Sequence, residues 1–217
     1  MKPQSDSASI VMLGSFNPAI FQPSWLALKN LISPSDAQSA DVKLIAPQLA
    51  AFKAGGILVE VLQERFMAQA DEPQDQVRLR DLVVGVFAVL GETPITRLGL
   101  NWTYIFRLED EKRWHAVGDL LAPKDVWSKL LRGRPGLRTM TIQGGLSEGL
   151  RGQLNVKVEP TTQPSVRVEI NNDILGPDRD GAVTADSFVE LIRKHWDEAR
   201  KESARIAIEV LTRAGGA

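Results

Sequence analysis

The chain has 217 residues, with 26 Lys and Arg against 27 Asp and Glu, a formal net charge of −1, and no cysteine. That length holds one large domain or two small ones with a substantial core. The charge balance lacks the positive excess of a polyanion-coating protein, and the missing cysteine excludes disulfides, thiolate nucleophiles and Cys-ligated zinc or iron–sulfur centres.

Residues 1–8 are mostly polar and read as a disordered tail, without the basic-then-apolar order of a signal peptide. No run approaches the roughly 20 apolar residues of a membrane span, so a cytoplasmic protein with no membrane partner is expected. A short apolar strand is predicted over 9–13, followed by a turn with two prolines over 14–23. Residues 23–32 read as a short helix, with Pro23 in its first turn and Trp25 and Leu28 facing inward. A polar loop over 33–40 leads to strand candidates at 41–46 and 56–63, with a weaker one at 65–69. Leu79, Val83, Val86 and Leu90 lie on one stripe of a helix over 74–90, which Gly91 and Pro94 stop.

The clearest element spans 97–108. Leu98, Leu100, Trp102, Tyr104, Phe106 and Leu108 fall on one face; Arg97, Gly99, Asn101, Thr103, Ile105 and Arg107 fall on the other. This spacing predicts a long strand buried on one side. A charged turn, a helical stretch with Trp114 and a second helix over 123–131 follow. Alternating segments at 137–143, 153–159 and 166–171 read as three strands separated by Gly- or Pro-containing turns. A long helix closes the chain over 186–213, with Ser187 and Glu190 as a capping box and Phe188, Ile192, His195, Ala199, Ile206 and Val210 as its stripe.

The order is β-α-β-β-β-α, twice. The expected fold is α+β: an antiparallel sheet with helices packed on one face, built from two pseudo-twofold halves (9–93 and 94–217) in one compact unit. Leu13-Gly14 with Ile20-Phe21 matches Leu98-Gly99 with Ile105-Phe106 in spacing, and Val59-Glu60-Val61 is echoed by Val168-Glu169-Ile170.

Catalytic chemistry finds little support. His115 and His195 both sit in helical segments, and no Gly-x-Ser-x-Gly elbow occurs. The glycine-rich stretches 132–138 and 144–152 lack the Gly-Lys-Ser/Thr of a phosphate loop. Asp178-Arg-Asp180-Gly181 has the first residues of a calcium loop without its later ligands, and reads as a turn. No catalytic residue, metal site or cofactor is expected. Two surfaces remain as binding candidates. One is the polar sheet face, with Arg97, Asn101, Thr103, Arg107, Lys157 and Arg167; the other is a basic stretch over 124–151, with Lys129, Arg132, Arg134 and Arg138.

The segments Arg97-Leu-Gly-Leu-Asn-Trp102 and Val59-Glu-Val-Leu-Gln-Glu-Arg-Phe66, with the helix between them, resemble a sporadically distributed bacterial family without an assigned activity. Asn101 and Trp102 stand where that family has Arg-Tyr. The resemblance covers the middle third of the chain. It implies a bacterial origin and the scattered inheritance of mobile-element or defence-linked genes, and it brings no catalytic residues. The doubled element order is similar to the saddle of TATA-binding proteins, an analogy of fold alone. The expectation is a non-enzymatic interaction or assembly protein, a homo-oligomer or the subunit of a protein partner. The alternative is a nucleic-acid-binding protein using the polar face or the basic stretch.

Overall fold

The computed structural model describes residues 1–162, 164–176 and 183–215. Its framework is one nine-stranded sheet in which every neighbouring pair is antiparallel, in the order β2-β3-β4-β5-β1-β6-β9-β8-β7. The first five strands are β1 (Ser5–Gly14), β2 (Asp41–Ile45), β3 (Leu49–Ala54), β4 (Ile57–Leu62) and β5 (Arg65–Ala70). The others are β6 (Ile95–Arg107), β7 (Met140–Gly144), β8 (Gly152–Pro160) and β9 (Ser165–Leu175). Helices α1 (Pro23–Leu28) and α2 (Pro34–Gln38) follow β1, α3 (Gln76–Val89) follows β5, α4 (Glu111–Leu121) follows β6, and α5 (Ala185–Gly215) closes the chain. The α+β antiparallel architecture is therefore as the hydrophobic patterning predicts.

One sheet face is the core. The apolar stripe of β6 is buried along its whole length, and Ile10 and Met12 of β1 and Val166, Val168 and Ile170 of β9 continue it sideways. Helix α3 packs over β1 and β5, and α5 packs over β6 and β9. Phe188, Ile192, Trp196, Ala199, Ala207 and Leu211 form the buried stripe of α5. Trp196, which is not in the stripe that sequence spacing draws through His195, sits fully inside the observed one. Its ring lies 5.0 Å from that of Trp102 on β6. Both His195 and Trp196 are buried because a helix crossing a sheet buries a face wider than one row of side chains. A second aromatic cluster, Phe16, Phe21, Phe66 and Phe87, ties the turn after β1 to β5 and α3.

Several expectations are corrected. Strand β1 starts at Ser5, inside the predicted tail, because Ser5–Ala8 pair with 102–105 of β6. The loop 33–40 contains α2, capped by the Ser33 hydroxyl, which accepts from the Asp36 N–H. A strand, β3, occupies Leu49–Ala54, where alanine-rich sequence carries little strand propensity. It is closed onto β4 by Gly55 and Gly56, whose φ of +53° and +84° suits a tight hairpin turn. The predicted helix 123–131 is only a 3-10 turn, Lys124–Val126, followed by irregular turns.

The first half thus carries four strands between its helices where three were predicted. The residue matches that suggested a duplication fall at different places. Ile105 and Phe106 lie within β6, whereas Ile20 and Phe21 lie beyond the end of β1. Glu60 is on β4, two strands from β1, whereas Glu169 is on β9, next to β6. The turn predicted at 178–181 lies outside the described residues. No helix among the described residues is long and apolar enough to cross a membrane.

Neither the Trp102 nor the Trp196 indole N–H finds an acceptor among the described residues. Trp102→Ala is expected to lower stability by about 3–5 kcal/mol, through lost packing and a cavity. Trp102→Phe is expected to cost about 1–2 kcal/mol, since it keeps most of the contact and removes an unpartnered buried donor. Urea unfolding of the two variants checks the difference.

Candidate binding surfaces

Antiparallel register places directly opposed residues on the same face, so the polar side of the sheet is organised in rows across the strands. One row runs Gln69, Ser9, Asn101, Asn171, Asn155, Gln143 through β5, β1, β6, β9, β8 and β7. Four of these side chains form a continuous hydrogen-bonded ladder. Asn155 Nδ2 donates to Asn171 Oδ1 over 2.9 Å, and Asn171 Nδ2 donates to Asn101 Oδ1 over 2.6 Å. Asn101 Nδ2 donates to Ser9 Oγ over 3.2 Å.

The next row, Ser7, Thr103, Glu169, Lys157 and Thr141, begins a charged cluster. Lys157 Nζ lies 3.0 Å from Glu159 and 3.3 Å from Glu169, and Arg167 lies 3.9 Å from each of the same carboxylates. On the other side of the ladder Arg97 pairs with Asp173 over 3.2 Å. The hydrogen bond from Lys157 holds the Glu159 carboxyl below the ordinary carboxylate range, with Arg167 and Arg138 adding to the effect. The same bond raises Lys157.

The structure therefore divides the residues singled out from sequence. Arg97, Asn101, Thr103, Lys157 and Arg167 do share one face, but its three cations are matched by Asp173, Glu159 and Glu169. Arg107 stands at the end of β6, exposed and without an ion pair among the described residues. Lys129, Arg132, Arg134 and Arg138 lie on the connection between α4 and β7, all exposed, with Arg138 close enough to act on Glu159. Lys124 pairs with Asp119. Lys129, Arg132 and Arg134 make no ion pair among the described residues.

The same connection holds large apolar side chains at the surface. Val126, Trp127, Leu130 and Leu131 are 66%, 48%, 72% and 53% exposed. Sequence spacing makes them the buried stripe of a helix. Gly133 and Pro135 mark where the segment ends, but its apolar spacing carries no sign of whether a surface exists to cover it. Trp127 and Leu131, with Leu137, Arg138 and Met140, line a cleft of about 390 Å³ beside the start of β7.

His195 is buried in the α5 stripe, and the His115 ring packs edge-on against Trp114 at 5.0 Å. Among the described residues, no group of three or more His, Asp and Glu is placed to hold a metal ion. Compared with protein-family models and with curated proteins, the chain matches none.

Two outcomes are expected for the polar face. Asn171→Ala breaks the middle of the ladder and should cost about 1–2 kcal/mol for two half-buried hydrogen bonds, whereas Arg107→Ala should stay within about 0.5 kcal/mol of wild type. Denaturant titration of both variants checks this. For the charged cluster, a carboxyl lowered in the folded state contributes above its ordinary pKa of 4.5 and loses that contribution as pH falls through the lowered value. A raised lysine contributes below its ordinary 10.5 and loses it as pH rises through the raised value. The cluster is thus intact at neutral pH. Glu159→Gln should remove part of the fall in Tm on acidification, read by circular-dichroism melts across the acid range.

Proposed function

We propose that this chain is a non-enzymatic interaction or assembly protein that binds protein through the connection between α4 and β7. The observation that carries this reading is the group Val126, Trp127, Leu130 and Leu131, held at the surface in one short segment. Contiguous large apolar side chains ringed by polar ones mark association surfaces, because their burial against a partner removes apolar area from water. The internally paired charges of the sheet face support the same reading, since Asp173, Glu159 and Glu169 compete with any incoming anion for Arg97, Lys157 and Arg167. A bacterial setting linked to mobile elements or defence rests on the sequence resemblance.

The test is Leu130→Glu with Leu131→Glu. Both positions are exposed, so Tm should stay within about 2 °C of wild type. Wild type is expected to self-associate in light scattering after size exclusion, or to retain a specific partner when tagged and captured from cells; the variant should lose that association. A strictly monomeric wild type that captures nothing overturns the reading.

A second reading, nucleic-acid binding, is favoured by Trp127 standing among Lys129, Arg132 and Arg134, as aromatic–cation surfaces for single strands do. A gel-shift series with single- and double-stranded oligonucleotides separates the two. Phosphate contacts require binding that falls steeply with salt and is lost in Arg132→Glu; no shift at low salt ends this alternative.

A further inference from the structure

We infer that β7 is a docking edge, to which an extended acidic segment of a partner protein adds as a further strand. The inference rests on the interaction reading above and names both the place and the chemistry of the partner.

The two edges of the sheet are built differently. Edge strand β2 carries Asp41 and Lys43, and its pairing with β3 shifts register between Val42 and Leu44. Charges and bulges are the devices that blunt an edge against further pairing. Edge strand β7 reads Met-Thr-Ile-Gln-Gly, with no charge and no proline. It pairs with β8 in unbroken register from Met140 to Gly144. Thr141 to Gly144 are exposed, Ile142 included, so both faces of this edge are accessible. Its outward N–H and C=O groups follow a regular strand, which only another backbone can match repeatedly.

Two further observations specify the incoming strand. The cleft lined by Trp127, Leu131, Leu137 and Met140 opens at the beginning of β7, where it can take one apolar side chain as an anchor. Arg138 and Lys124 line it as well, and Lys129, Arg132 and Arg134, exposed and without an ion pair among the described residues, lie on the same α4–β7 connection. The acids nearby are few: Asp119 is held by Lys124, Glu159 by Lys157, and Asp125 is exposed. Charge complementarity therefore selects an acidic strand. An anionic lipid surface or a nucleic-acid strand would use the cations but leave the β7 backbone edge unmatched.

The test begins with a random linear-peptide display library selected against the full chain. Peptides rich in Asp and Glu around an apolar residue are expected to be enriched. Synthesised peptides should bind in fluorescence anisotropy and lose at least about ten-fold in affinity to Arg132→Glu/Arg134→Glu, and likewise to Trp127→Ala. A third arm leaves the protein untouched: N-methylation of alternate backbone amides in the peptide, in both phases, should abolish binding in the phase that blocks the ladder and spare it in the other. No enrichment, enrichment of neutral or basic peptides, or indifference to N-methylation in both phases overturns the inference. So does binding of phosphatidylcholine–phosphatidylserine vesicles, or of a single-stranded oligonucleotide, where no peptide is selected. If the chain still self-associates or captures a partner in a Leu130- and Leu131-dependent way, strand addition falls while the broader interaction reading stands.

Discussion

The packing of α5 on β6 is the contact on which the rest of the molecule depends. Trp102 comes from the middle of the longest strand, Trp196 from the middle third of the longest helix, and the two fully buried rings meet at 5.0 Å. Strand β6 joins the strands of the first half, through β1, to those of the second, through β9. A helix that seals β6 therefore seals the seam between them. The aromatic area buried there is a large favourable increment for a chain whose margin over unfolding is small. It also fixes which face of the sheet is left to solvent, and hence which side chains can meet a partner.

That open face is balanced within itself. Its central amides bond to one another, and its cations sit beside carboxylates on neighbouring strands. A surface arranged this way offers an incoming charged group little that is unsatisfied. Exposed apolar side chains and cations without an ion pair among the described residues occur together on the chain between α4 and β7. Cations that are not balanced locally set the sign of approach for a partner, while the apolar group beside them supplies area.

How much of this was legible in the sequence follows from how much each element is governed by its own residues. Strand β6 declares itself, because its residues alternate without interruption from Arg97 to Arg107 and one face of that run is wholly buried. The same holds for α3 and α5, whose stripes are long. Strand β3 does not: in Leu-Ala-Ala-Phe-Lys-Ala the small side chains carry no alternation, and its identity comes from the neighbours that pair with it on both sides. The segment 123–131 misleads in the opposite sense. Its apolar spacing is helical, but spacing describes a face only where something exists to cover it. Of the candidate site, the shared face of Arg97, Asn101, Thr103, Lys157 and Arg167 could be read from strand parity. The ion pairs that neutralise it could not, because they depend on strand order: Lys157 meets Glu169 only because β8 lies beside β9.

The amide ladder has a consequence for the fidelity of folding. A β-strand that slips by one residue turns all its side chains over, and a slip by two preserves the faces but moves every partner. On the apolar side, Val, Ile and Leu are nearly interchangeable, so a two-residue error there costs little specificity. Across the ladder such an error in β9 would set Glu169 or Asp173, rather than Asn171, between Asn101 and Asn155. Either carboxylate could accept from its neighbours, but neither could donate to Asn101 Oδ1, and the run of amide-to-amide bonds would break between β9 and β6. The polar rung thus acts as a vernier mark, distinguishing the correct alignment of four strands from alignments that the greasy face alone would tolerate.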